Sequence, residues 1–146
     1  MKNLNKKQII KLTRITEPFL MVDNIKNILN RKSAMGIKKI EKDSWFFKCH
    51  FIDEPMMPGT LIEEAMLQTI VSTLYSDKKF KNKICLITGT KTSFFSKVNK
   101  PTNLYIDIKI LKITKFKVET TAVVRNDKKI KIASGIYNYF ISKKLP

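Results

Sequence analysis

Apolar residues are spaced unevenly along the chain, and their spacing divides it into elements. Over residues 5–12, Ile9, Ile10 and Leu12 stand among lysines, which predicts a short basic amphipathic helix. Residues 19–29 and 33–40 read as two strands joined by a turn at Asn30-Arg31-Lys32, and residues 45–51 as a third, aromatic strand-like run. Residues 60–75 differ from all of these. Apolar side chains surround most of the circumference of a helix there, so it must be buried on several sides. After a break at Ser76-Asp77-Lys78, strands are predicted over 84–98, 104–113, 117–125 and 129–141. Leu104, Ile106, Ile108 and Ile110 alternate with Tyr105, Asp107 and Lys109, as in a strand with one buried face. Asn126-Asp127-Lys128 reads as a hairpin turn. One long apolar helix among five or six antiparallel strands gives an α+β class, and periodicity says no more than that.

Length changes this picture little: 146 residues without a linker read as a single domain over 1–146. The polar, basic start lacks the apolar region of a signal peptide, and no apolar run reaches the roughly 18 residues of a membrane span, so a soluble cytoplasmic protein is expected. Cys49 and Cys85 lie far apart with no CxxC, which suggests neither a disulfide framework nor a zinc site. Pairing of Cys49 as a nucleophile with His50 is disfavoured, because neighbours in a strand point to opposite faces. Charge adds more. At +17, the chain invites an acidic protein partner, nucleic acid, or simply a lysine-rich solvated surface; no nucleic-acid motif is present.

Candidate chemistry is concentrated where the aromatic run meets the long helix. His50 is the only histidine, and a Pro-rich turn over residues 55–59 separates it from the helix. Pro58 disfavours helix before it, Gly59 permits a sharp entry, and Thr60-Leu61-Ile62-Glu63 has the pattern of a capping box, which assigns Glu63 a capping role. Glu64 has no such role. It lies about 100° further round the helix, beside Ala65 and Leu67 and one turn from Leu61 and Gln68. A carboxyl among Leu, Ile, Met and Val should have a raised pKa and exchange a proton near neutrality. Gln68 reads equally as its hydrogen-bond partner or as a polar helix face. Strand-borne Phe94 and Phe95 read on their own as plain core.

The string His50-Phe51, Pro55-Met56-Met57-Pro58-Gly59, Leu61-Ile62-Glu63-Glu64-Ala65-Met66-Leu67-Gln68 resembles the active-site segment of the 3-hydroxyacyl-(acyl-carrier-protein) dehydratases, the FabZ/FabA family of hot-dog folds, whose pattern is roughly GHFPxxPxMPGxLxxEAxxQ. Pro18-Phe19-Leu20-Met21-Val22-Asp23 resembles the family's PFLLVD entry, and the stretch from Gly89 to Val98 is weakly similar to its GIxxxxFxxxV strand. The rim departs from the pattern: Cys49 replaces Gly, Ile52-Asp53 replaces Pro-Gly, Ile15-Thr16-Glu17 replaces His-Arg-Tyr, and Phe95 and Ser96 replace two arginines.

The resemblance implies an antiparallel sheet wrapped around a long central helix. It further implies dehydration of a carrier-bound 3-hydroxyacyl thioester to the trans-2-enoyl thioester, in fatty-acid or related specialised acyl biosynthesis, with no metal or organic cofactor. His50 would take the C2 proton, Glu64 would protonate the departing hydroxyl, and the Gly59 N–H would bind the thioester oxygen. Gln68 would support Glu64, and Phe94 and Phe95 would line the acyl tunnel. His50 and Glu64 of one site would come from different subunits, making a homodimer the minimum unit, with assembly to a trimer of dimers left open. The acidic partner would be acyl carrier protein. Two alternatives keep the fold: a thioesterase in which Glu64 directs water, and a non-catalytic carrier-binding module. The first does not need a histidine base, and retention of both His50 and Glu64 disfavours the second.

Overall fold

The long helix organises the sheet around it. The computed structural model describes residues 1–143; the last three residues of the expected domain, 144–146, lie outside the described residues. In chain order the elements are β1 (Lys2–Leu4), α1 (Lys6–Thr13), β2 (Asn24–Leu29), β3 (Ser33–Ile40), a 3₁₀ turn (Trp45–Lys48), α2 (Gly59–Tyr75), a second 3₁₀ turn (Lys78–Phe80), β4 (Ile84–Phe94), β5 (Thr102–Ile113), β6 (Lys117–Arg125) and β7 (Lys131–Ser142). All seven strands form one antiparallel sheet in the order β1-β2-β3-β5-β6-β7-β4, with α2 against its inner face. This is the hot-dog arrangement that the resemblance implies.

Burial explains why α2 is apolar nearly all round: Ile62, Ala65, Met66, Ile70 and Leu74 are enclosed together with Leu104, Ile106 and Ile108 of β5 and Val118, Ala122 and Val124 of β6. The tightest approach is at β3. A Cβ on Gly36 would come within 2.3 Å of Thr69 Oγ1, so only glycine lets the helix lie this close to the sheet. The two ends of the sheet are unlike. β1 is three residues long, whereas β4 presents eleven residues along a free edge, with Ile87 and Phe94 about half exposed. No helix among the described residues is long and apolar enough to cross a membrane.

Besides a seventh strand, β1, that periodicity does not predict, and element ends displaced by one to four residues, as where the strand expected over 84–98 stops at Phe94, three expectations fail, each for a local reason. Residues 45–48 form a 3₁₀ turn, not a strand. The turn buries Phe46 and stacks Trp45 and Phe47 edge-on against it (centroids 5.7 and 4.9 Å), while the Trp45 indole N–H donates to Pro18 O at 3.1 Å. An extended strand would put Phe46 on the face opposite its neighbours. Residues 19–22 carry no ladder, because several of their backbone groups are already taken, and only Asp23 reaches β3, its N–H donating to Ile37 O at 2.8 Å. Leu20 N–H donates to Thr16 O, Met21 N–H to Gln68 Oε1, and Leu20 O accepts from Lys38 Nζ. The capping box at Thr60 does not form either. α2 starts one residue earlier, at Gly59 behind Pro58, so Thr60 is already inside the first turn, and the Glu63 carboxylate accepts from Thr92 Oγ1 on β4 instead. A capping box does occur at α1, between Asn5 and Gln8.

Candidate active site

His50 sits where the 3₁₀ turn hands over to the Pro-rich loop. Its N–H donates to Phe46 O (2.9 Å) and its carbonyl accepts from Met56 N–H (2.7 Å), which pins both ends of the loop. The ring Nδ1 lies 3.0 Å from Met56 O. A carbonyl only accepts, so Nδ1 carries the hydrogen, and in the neutral ring Nε2 is left with a free lone pair. The loop is fastened further by Met57 N–H to Val98 O (2.8 Å) and by an ion pair between Lys97 and Glu54. The Cys49 thiol faces the carbonyls of Trp45 and Phe46 (3.9 and 3.6 Å), so it is engaged with the turn. The alternation argument thus named the wrong element.

The helix begins against an aromatic ring. A Cβ at Gly59 would meet the Phe94 ring at 3.1 Å, so glycine lets Phe94 lie over the helix N-terminus. The first N–H groups there have no acceptor inside the helix, and the dipole favours negative charge beside them. Phe95 lies elsewhere, with Lys131 Nζ 4.4 Å from its ring centroid and more than half of it exposed.

Glu64 is half-buried one turn into α2, and its Oε1 accepts from Gln68 Nε2 at 2.9 Å. Gln68 is 1% exposed and uses every group it has. Nε2 also donates to Phe19 O (2.9 Å), and Oε1 accepts from Met21 N–H (2.7 Å). The amide orientation is thereby fixed, and with it the carboxylate. Burial raises the Glu64 pKa, the Gln68 N–H opposes this, and the charge of Glu63 adds to it. The carboxyl opens on a hollow of about 260 Å³ lined also by Ile15, Leu67, Val71 and Ile87. A larger hollow of about 810 Å³, between α1 and β3, includes Lys6, Asp23, Lys38 and Glu41 but neither His50 nor Glu64.

Within one chain, then, Glu64 and Gln68 meet, and Gly59 and Phe94 meet. His50 does not line the Glu64 hollow, and no hydrogen bond joins them among the described residues. The sequence reading overlooked Cys85, Ile87 and Tyr139, which complete the hollow. Alternation in β7 marks Tyr139 as inward-facing, but its place beside α2, with its hydroxyl donating to Leu67 O at 3.1 Å, depends on long-range strand order. Among the described residues no group of three or more His, Cys, Asp or Glu side chains is placed to hold a metal ion.

Comparison with known proteins places these features in a group. The FabA-like domain matches residues 15–133. A 3-hydroxyacyl-(acyl-carrier-protein) dehydratase FabZ of Thermoanaerobacter pseudethanolicus is 40% identical over 98 residues, 67% of this chain and 69% of that protein. One from Clostridium botulinum strain Loch Maree is 38% identical over 113 residues, 77% of this chain and 78% of its own. Among solved structures, the dehydratase heterocomplex ApeI:P from Xenorhabdus doucetiae is similar with a TM-score of 0.75, 13% identity, and coverage of 90% of this chain and 89% of that one. A hypothetical thioesterase with coenzyme A from Streptococcus pneumoniae TIGR4 is similar at TM-score 0.64 and 8% identity, covering 84% and 87%. At those identities the two structures speak for the fold alone.

Proposed function

Because the chain belongs to the FabA-like family, we propose a mechanism in which His50 and Glu64 divide the proton transfers of a dehydration between them. The enzyme is a 3-hydroxyacyl-(acyl-carrier-protein) dehydratase of fatty-acid biosynthesis, a hydro-lyase. His50 Nε2 takes a proton from C2, and the electron pair left behind is stabilised on the thioester oxygen by N–H donors at the Gly59 end of α2. The C2–C3 double bond forms as the C3–O bond breaks, and the Glu64 carboxyl gives its proton to the departing hydroxyl, releasing water. Proton transfer from His50 back to Glu64 through solvent resets the pair. The elimination is redox-neutral and the two side chains handle its proton transfers, so the scheme calls on no metal or organic cofactor.

The observation that carries this reading is the way each group is held. Nδ1–H bonded to Met56 O leaves Nε2 as the base, and Gln68 aims a carboxyl whose pKa burial raises. The sequence reading's thioesterase alternative would make no use of that histidine. Phe94 borders the thioester at the Gly59 end, and Phe95 with Lys131 stands at the rim. The partner in this proposal is acyl carrier protein, which is acidic. Lys100 and Lys128, which line a hollow with Val98 and Asp127, supply matching charge, and a cytoplasmic location belongs to the same reading.

The proposal also needs a second copy. β4 leaves an eleven-residue edge with half-exposed apolar side chains along which two copies would pair, and in that dimer, as the family resemblance implies, His50 of one chain would serve the site of the other chain's Glu64. Mixing inactive His50→Ala and Glu64→Gln proteins under subunit exchange should restore activity, approaching about a quarter of wild type for random C₂ exchange. A mixture that stays inactive despite demonstrated exchange places both residues in one chain's site and overturns the shared geometry.

A further inference from the structure

Glu63 stands next to Glu64, the proton donor of the proposed mechanism, at a position that the dehydratase pattern leaves open between its leucine and its glutamate. Its carboxylate is held from the sheet. Oε2 accepts from the Thr92 hydroxyl on β4, and Thr92 Oγ1 lies 2.8 Å from the Tyr137 hydroxyl on β7. Thr92 has one hydrogen and commits it to the carboxylate, so Tyr137 is the donor of the second pair. Both hydroxyls therefore donate in the direction of Glu63, an order in which each bond polarises the next and a charged acceptor gains most.

This chain of hydroxyls is built into the fold. Tyr137 is fully buried, its hydroxyl touches Met66 Sδ at 3.3 Å, and burial pushes its pKa up to about 12, so it keeps its proton. Gly135 pairs with Thr92 across the β4–β7 ladder. A Cβ there would run into the Tyr137 hydroxyl and meet Lys91 O at 2.5 Å, so only glycine lets the tyrosine reach back to Thr92. Two residues further along β4, on the face that Thr92 shares, Phe94 covers Gly59. The first turns of α2 are thus fastened to β4 at two places.

Charge beside Glu64 comes from one neighbour. The titratable groups that line its hollow from other elements are Cys85 on β4 and Tyr139 on β7. Burial pushes the thiol up to about 11 and raises the phenol, so both are neutral at physiological pH. Lys91, beside Thr92 in sequence, alternates to the opposite, exposed face of β4. Among the described residues neither Glu63 nor Glu64 has an ion-pair partner. A negative charge fixed on the adjacent residue, with no cation to offset it, makes a second charge on Glu64 costly.

We propose that Glu63 is a positioning residue of the dehydration: Thr92 and Tyr137 hold its carboxylate beside Glu64, and its charge brings the proton back to Glu64 after each turnover. The proposal rests on the dehydratase reading and adds a residue to it. Once Glu64 has protonated the departing hydroxyl it is a carboxylate next to a carboxylate, and their repulsion favours uptake of the proton that His50 releases to solvent. Above the Glu64 midpoint the protonated fraction limits turnover, so the contribution is largest there.

Two variants separate charge from tether. Glu63→Gln keeps an acceptor for Thr92 and removes the charge, whereas Thr92→Val keeps the charge and removes the bond. The Glu64 carboxyl is followed by carbon-13 NMR titration, assigned through Glu64→Gln, and kcat for 3-hydroxybutyryl and 3-hydroxyoctanoyl carrier-protein thioesters is measured over the same pH range. In Glu63→Gln the Glu64 midpoint should fall by about half a pH unit, the scale of two charges interacting across partly exposed surface. The ratio of wild-type to variant kcat should then rise from about 1 below the midpoint to about 3 above it. Thr92→Val frees the carboxylate into water, where it is screened, and should move the midpoint the same way by a smaller step, while Thr92→Ser should restore the wild-type value. A merely structural role would lower kcat by one factor at every pH. That outcome, or a folded Glu63→Gln or Thr92→Val protein with the Glu64 midpoint unmoved, overturns the proposal. Wild type that dehydrates neither thioester overturns the dehydratase reading, and the role in turnover with it, whatever the titration reads.

Discussion

Glu63 and Glu64 are adjacent acids with different surroundings, and a pair of conservative variants separates their work. Glu63 accepts from the Thr92 hydroxyl, a bond that glutamine's carbonyl can also accept, so Glu63→Gln should keep turnover within a few-fold. Glu64→Gln removes the proton donor of the proposed mechanism and should cost on the order of 10²-fold or more in kcat. Stability should report the same difference with a defined sign. Burial raises the native pKa of Glu64 above the ordinary value of 4.5, so the native state holds its proton more tightly than the unfolded chain. The stabilising contribution is complete below 4.5 and is lost as pH rises through the native pKa. Denaturant unfolding across that window should therefore show Glu64→Gln gaining on wild type as pH rises, and a constant difference would mean the carboxyl is not desolvated. The raised pKa of Glu64 was legible in the sequence because its apolar neighbours lie beside it and one turn away on the same helix. Glu63 was misread because Thr92 lies 29 residues along the chain, on a strand whose contact with α2 no local pattern announces.

At the scale of elements, the closeness of α2 to β3 is the feature most open to disruption. Gly36→Ala would drive a methyl into Thr69 Oγ1 and Cγ2, at 2.3 and 2.8 Å before relaxation, and should destabilise by about 1–3 kcal/mol, as overpacked cores do. Thr69→Ala removes both of those atoms, and the hydroxyl it deletes bonds only to its own helix at Ala65 O. The double variant should be more stable than the two single losses added together, measured as urea midpoints; strict additivity would mean the helix shifts freely on the sheet. Elements whose burial repeats regularly were read well: β3 and β6 match their expected spans and α2 differs by one residue. Residues 45–48 were not, since three consecutive aromatics suit a strand by propensity and a turn by packing, and the burial of Phe46 with the Trp45 hydrogen bond to Pro18 O decides. Residues 19–23 owe their shape to Gln68 and Lys38, which no neighbour in sequence reveals.

For the whole molecule, the charge of +17 was plain in the composition, but the order β5-β6-β7-β4 was not, because strand order follows from burial of a shared face and not from spacing. That order leaves β4 with one side bonded to β7 and the other facing outward over eleven residues. An open edge of that length and apolar character templates further strand pairing, so a lone chain carries an aggregation hazard that the proposed pairing with a second copy would remove. In the dimer proposed above, folding and association become one equilibrium, and thermal stability ceases to be a property of the chain alone. The unfolding midpoint should climb with protein concentration across the range where the pair assembles, and dilution should yield precipitate more readily than a folded single chain. A midpoint independent of concentration down to full dissociation would show that the β4 edge tolerates water by itself.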